Sequence, residues 1–153
     1  MDDFQKITRN LAGNYRLTTD IDMNGVEFHP LGSKSAQFSG TLDGDGHKIL
    51  NMTINETGGS EIGFFSYTNN ATIKNLAFVN ATINAPSSNH VGILAGTLLS
   101  GTVDQVAVAG TVIGNDHVAG LAGDGNSVAV TNTYVDVNVT GYSQVGGFFG
   151  CTT

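Results

Sequence analysis

Ile62-Gly-Phe-Phe-Ser-Tyr67, Val91-Gly-Ile-Leu-Ala-Gly96, Val118-Ala-Gly-Leu-Ala-Gly123 and Val145-Gly-Gly-Phe-Phe-Gly150 are four versions of one six-residue phrase. Their first residues stand 29, 27 and 27 positions apart. A fixed period of this size marks a solenoid, in which each repeat is one coil stacked on the next. Phe65, Leu94, Leu121 and Phe148 hold the same place in the four phrases and are expected to form one inward file. A small residue (Gly63, Gly92, Ala119, Gly146) follows the first position each time, where one backbone must approach another.

A second periodic series runs beside the first. Ile49, Ile73, Val103 and Val130 open segments whose residue three on is Met52, Leu76, Val106 or Thr133. The residue five on is Ile54, Phe78, Val108 or Val135. Two on from each opening residue stands an amide, Asn51, Asn75, Gln105 or Asn132, predicted to bond with its like along the axis. A third short strand ends at Ile83, Val112 and Val139, which gives each coil about three faces. The segment Ala85-Pro-Ser-Ser-Asn89 belongs to the longest of the turns that follow and is the expected exposed loop.

Upstream, the period changes. Phe4, Ile7 and Leu11 fall at i, i+3 and i+7, the stripe of a short helix with Asp2 and Asp3 at its start and Gly13 past its end. The first coil of a solenoid exposes an apolar cross-section and a bare strand edge, and a helix over both prevents end-to-end growth. From Asn14 the chain alternates apolar and polar residues to Met23, as a half-buried strand does. The reading is an all-β, single-stranded parallel β-helix (β-solenoid) of about five coils. Residues 1–13 form its N-terminal capping α-helix and residues 14–153 the solenoid. Cys151-Thr-Thr follows the last phrase directly, which leads to the expectation of further coils of a parent chain, or of pairing through an open end.

Composition agrees with strands and narrows the partners. Gly is frequent at 21, Pro is rare at 2, and only 12 % of residues are charged, so helix formers are scarce. All six Lys and Arg lie in the first 74 residues, and the net charge is −7. Nucleic acid and anionic lipid need clustered cations, so neither is an expected partner. No apolar run reaches the roughly 20 residues of a membrane-spanning helix. Zinc-protease spacing (His-Glu-x-x-His), a phosphate-binding loop, a Cys-x-x-Cys pair and a Gly-x-Ser-x-Gly elbow are all absent. No catalytic residue and no cofactor are assigned. Asp43-Gly-Asp-Gly46 reads as a tight turn rather than a calcium loop.

One file carries potential chemistry. The residues just before the phrases are Glu61, His90, His117 and Gln144, and Asp116 precedes His117. The two His are 27 residues apart and should stack, so Glu61, His90, His117 and Asp116 form a candidate column for a divalent transition metal. The plainer alternative is a row of exposed turn residues at a coil corner.

The six-residue phrases resemble the GLUG repeat of bacterial surface proteins, with Ala119-Gly-Leu-Ala-Gly123 and Gly146-Gly-Phe-Phe-Gly150 nearest to its core. Asn14-Tyr-Arg-Leu-Thr-Thr-Asp-Ile-Asp-Met23 and Phe38-Ser-Gly-Thr-Leu-Asp-Gly-Asp-Gly-His-Lys-Ile49 are similar to the segment that precedes those repeats. Ser66-Tyr67 and Thr133 depart from the pattern. The resemblance implies a non-catalytic, adhesin-like module of a bacterial cell-surface or secreted protein. It would act in attachment or as a stalk, with a host or surface glycan or protein as partner. The alternatives are an accessory region of a secreted protease or carbohydrate-active enzyme with its catalysis elsewhere, and an ice-binding surface built on the aligned Thr82 and Thr111.

Overall fold

Polar residues with left-handed backbone turn the chain at its corners. Three files of them run through three or more coils: Glu61, His90, His117 and Gln144 (φ 66°, 54°, 54° and 48°); Asn70, Ser100 and Ser127 (55°, 50° and 54°); and Asn75, Gln105 and Asn132 (54°, 53° and 49°). Asn51 and Asn80 (59° and 56°) make a shorter one. This region is sterically costly for most L-residues, and Asn visits it most readily because its short side chain bonds locally. Extended segments between corners pair with the same segment of the next coil, and the result is a parallel β-solenoid with one short helix at the N-terminus. The computed structural model describes residues 2–153, with side chains from residue 4. The expected part of Asp2 and Asp3 at the helix start lies outside the described side chains.

Among the described residues, all strand pairings are parallel and fall into three sheets, one of nine strands and two of four. Five coils span residues 14–39, 41–69, 72–99, 102–126 and 129–152. In the long sheet, Thr72–Asn84 lies between the strands of the second coil and Thr102–Ile113. Ser60–Ile62, Asn89–Val91, Asp116–Ala119 and Ser143–Gly146 make the second sheet. Phe65–Asn69, Ala95–Leu99, Ala122–Asn126 and Phe149–Thr152 make the third. The helix, Asp2–Arg9, seats Phe4 and Ile7 on the first coils, both buried, with Leu11 packed beside them. Tyr15 ties it down by donating its hydroxyl to the carbonyl of Asn10 at 2.6 Å.

Five phenylalanines of the coils, joined by Phe4 of the cap, fill the bore at this end. Phe28 stacks on Phe64 at 5.3 Å and Phe38 on Phe65 at 4.3 Å, while Phe4 and Phe78 meet Phe64 edge-on. Later coils replace rings by Ile, Leu and Val, and the fifth leaves Val145 and Phe148 exposed at 47 % and 43 %.

Two of the expected files are corrected by register. Phe65 pairs with Ala95 and shares a file with Ala122 and Phe149, so it does not head the file of Leu94, Leu121 and Phe148. Ile62 pairs with Val91 but Phe65 with Ala95, so the second coil has one residue fewer in between. The same deletion puts Ser66, not Tyr67, in line with Gly96, Gly123 and Gly150, so Ser fills the Gly position in the second coil. Likewise, Ile49 stands beneath Phe78, while Tyr15 and Leu42 precede Ile73, Val103 and Val130 in their file. The Asp43–His47 turn holds two residues more than the matching corner, which displaces everything after it. Asn51 therefore leaves the amide file: it accepts from Asn80 Nδ2 at 2.8 Å and donates to Asp22 at 2.9 Å. Asn75 and Asn132 bond not to each other but to Asp43 (3.2 Å) and Asp104 (2.9 Å). In the 85–89 loop, Pro86 and Ser87 are exposed as expected, but Ala85 and Ser88 are fully buried. Thr53 joins Thr82 and Thr111 in one file and Thr41, Thr72 and Thr102 form another. The left-handed corner at Asn75 and Gln105 separates the two, so they make no flat array.

Along the outer face runs a file of Arg16, Asp43, Lys74 and Asp104, alternating in sign at the roughly 4.8 Å strand spacing. The Asp45 amide, the Asn75 amide and the flanking cations hold Asp43 below the ordinary carboxylate value of 3.8. Asn132 and Thr131 hold Asp104 down, and Asn51 and the Asn24 amide hold Asp22 down. A carboxyl lowered in the folded state stabilises above its unfolded pKa, and that contribution is lost as pH falls through the folded value. The thermal midpoint should therefore fall as pH drops below about 4, where these carboxyls take up protons. Circular-dichroism melts of Asp104→Asn should show a shallower acid limb.

Candidate functional site

Two surface features collect side chains able to bind. The first lies where the left-handed file of Glu61, His90 and His117 meets the strand residues Tyr67, Thr97 and Asp124. Gly96 and Gly123 bring the two together, because each presses its Cα against the residue of the preceding coil in that file. A side-chain carbon on Gly96 would stand 2.3 Å from Glu61 Cα, and one on Gly123 would stand 2.4 Å from His90 Cα. The residue after each Gly then projects beside that neighbour, so Thr97 donates to the Glu61 carboxylate and Asp124 reaches His90.

The imidazoles of His90 and His117 lie 4.6 Å apart, tilted by 52°. His90 Nδ1 is 3.1 Å from Glu61 Oε1 and 2.9 Å from Ser60 Oγ, and its Nε2 is 3.4 Å from Asp124 Oδ2. His117 Nδ1 is 3.1 Å from Asp116 Oδ2, and its Nε2 is 3.8 Å from Asp124 Oδ1. Burial raises the Asp116 carboxyl, but the Ser143 hydroxyl and His117 outweigh it and leave the group below 3.8. Burial, and then the negative charges of Glu61 and Asp124, push the Tyr67 hydroxyl above its usual value of 10.0.

Of the column read from sequence, Glu61, His90 and His117 share one file, and Asp116 sits against His117. The member sequence reasoning missed is Asp124. It stands with Thr97 and Cys151 directly after the final Gly of each phrase, in one register. That position was legible as a repeat, but the phrase was read only to its last Gly. Among the described residues, His90, His117 and Asp124 form the group whose ligand atoms all lie within 4.8 Å of one another.

The second feature is a groove along the long sheet, of about 540 Å³. Its floor is Ala77 and Ala107, in one file with Lys48 and Tyr134. The left-handed amides Asn75, Gln105 and Asn132 make one wall, and Tyr134, 75 % exposed, closes the far end. From Lys48 to Tyr134 is three coil steps, roughly 14 Å.

These features define a class: a helix-capped parallel β-solenoid whose side-chain files offer binding groups on its flanks. The chain belongs to the family of the M26 IgA1-specific metallo-endopeptidase N-terminal region, which residues 2–110 match. It is 38 % identical over 123 residues to halomucin of Haloquadratum walsbyi, a match covering 72 % of this chain and 1 % of halomucin. It is 31 % identical over 100 residues to a Gly-rich membrane protein of Evansella cellulosilytica, covering 64 % of this chain and 12 % of that protein. The chain thus spans a small fraction of these relatives. No solved structure matches it. The family is that of an N-terminal region rather than a catalytic part, and no helix among the described residues is long and apolar enough to cross a membrane.

Proposed function

We propose that the chain is a non-catalytic, adhesin-like module of a larger surface or secreted protein, and that it holds a neutral glycan in the groove between the amide file and Tyr134. The observation that carries this reading is the groove itself. Amides bond sugar hydroxyls as donor and acceptor, the two alanines leave room, and an exposed tyrosine offers a face for a pyranose ring. A net charge of −7 with six basic residues disfavours an acidic sugar. Family membership and the short share of each relative support the role of a module whose parent carries other functions. The GLUG-like phrases support the same reading.

A glycan array tests it. The chain should bind neutral oligosaccharides, and Tyr134→Ala should weaken that binding by about tenfold or more, as loss of a central aromatic anchor does. Because Tyr134 is exposed, the variant should keep the parent thermal midpoint. Binding that survives Tyr134→Ala unchanged would remove the groove from the account. No binding on the array would leave a stalk as the better reading. The second reading, an accessory region of a secreted protease, is favoured by the family match to a region of such enzymes.

A further inference from the structure

The cluster around His90 and His117 is short of positive charge. Glu61 and Asp116 approach the two Nδ1 atoms at 3.1 Å, and Asp124 faces both Nε2 atoms at 3.4 and 3.8 Å. Four nitrogen edges therefore meet carboxylates, and two neutral imidazoles carry only two N–H groups between them. With those hydrogens on Nδ1, a lone pair on each Nε2 is aimed at an anionic oxygen. His117 Nδ1 faces Asp116 at 3.1 Å, while Asp124 Oδ1, on the Nε2 side of the cluster, is buried and lacks a hydrogen-bond partner. Buried polar atoms in that state are rare and call for a missing partner. Two further protons would supply it, at the cost of two adjacent imidazolium rings. One dication supplies the same charge at a single point.

We propose that His90 Nε2, His117 Nε2 and the Asp124 carboxylate bind a divalent transition metal of the zinc class, which links the third coil to the fourth. Tetrahedral zinc with bonds of about 2.0–2.1 Å sets its ligand atoms about 3.3 Å apart. The two His–Asp124 separations, 3.4 and 3.8 Å, run to the two different oxygens of one carboxylate. One ligand atom from each of the three residues lies within 4.8 Å of the others, so side-chain rotations must close the group to that spacing. Two imidazoles and one carboxylate select zinc, copper or nickel over calcium and magnesium. Glu61 and Asp116 are positioning residues: each draws the hydrogen of its ring to Nδ1 and turns the Nε2 lone pair towards the metal. This changes the column expected from sequence, in which they were ligands. The five side chains are 14–32 % exposed, so the fourth coordination position opens to solvent and can take water or an exogenous donor. The imidazole–carboxylate pairs elsewhere, His47 with Asp20 and His29 with Glu56, have one ring each and make no such group.

The test is zinc titration by calorimetry and cobalt(II) absorption on the intact chain. His117→Gln and Asp124→Thr suit it, because Gln144 and Thr97 already occupy the same two files without disturbing the fold. The parent should bind one zinc per chain, give a tetrahedral cobalt band, and gain thermal midpoint that a chelator removes. Each variant should lose at least about tenfold in affinity, and Glu61→Gln about tenfold with a changed cobalt spectrum. His47→Gln should match the parent. No saturable binding at zinc up to about 0.1 mM by a chain with its normal strand spectrum would overturn the proposal. Equal affinity in the parent, His117→Gln and Asp124→Thr would do the same.

Discussion

Phe64→Ala is expected to cost about 3–5 kcal/mol, most of what a domain of this size has to spare. Phe64 is fully buried, and its ring meets Phe4 of the cap at 5.1 Å, Phe28 at 5.3 Å, Phe65 at 4.9 Å and Phe78 at 5.4 Å. Truncation removes the contact that joins the helix to the first three coils, and it leaves a cavity that stiff neighbouring strands cannot close. Phe148 belongs to the same six-residue phrase, yet it is 43 % exposed on the fifth coil, so Phe148→Ala should cost less than about 1.5 kcal/mol. Chemical denaturation of the two variants measures the difference. Equal losses would mean that the bore is not graded from the cap to the fifth coil.

Gly96→Ala should be nearly as damaging, by about 3 kcal/mol, even though it adds one carbon. The new methyl would stand 2.3 Å from Glu61 Cα and 2.5 Å from Glu61 C, backbone atoms of the coil below. Relief requires the two coils to separate, and the ladder on either side resists that. Gly147, in the fourth phrase, has nothing within 4 Å of the same added carbon, so Gly147→Ala should change the thermal midpoint by no more than a degree or two. A tolerant Gly96 would contradict the coil-to-coil contact that brings Thr97 to Glu61.

The stack was legible because it repeats. Strands of Ile73, Val103 and Val130, and the phrases opening at Val91, Val118 and Val145, recur at a nearly constant step, and the structure pairs them in that register. Helix periodicity in Phe4 and Ile7 likewise gave the cap. Register failed where the step changed. A one-residue deletion before Phe65 and a two-residue insertion in the Asp43–His47 turn shift side chains between files, and neither alters the apolar pattern enough to reveal itself. Asn51 illustrates the cost: its amide partner is Asn80, 29 residues on, rather than Asn75. The binding features suffered in the same way. His90 and His117 stood out by type and spacing, but Asp124 faces them through a bend that only the close approach of Gly123 creates. The groove was invisible, since it arises from two alanines beside a left-handed corner, and neither residue type suggests a ligand.

The central claim is that successive coils lie in parallel register at steps of 27 to 34 residues. Methyl-resolved nuclear Overhauser spectroscopy of the chain in solution tests it most directly. The account predicts cross-peaks linking Ile83 to Val112, Val112 to Val139 and Val91 to Val118, all of them register partners. Absence of those peaks, with contacts instead between strands only ten or so residues apart as in antiparallel hairpins, would contradict it.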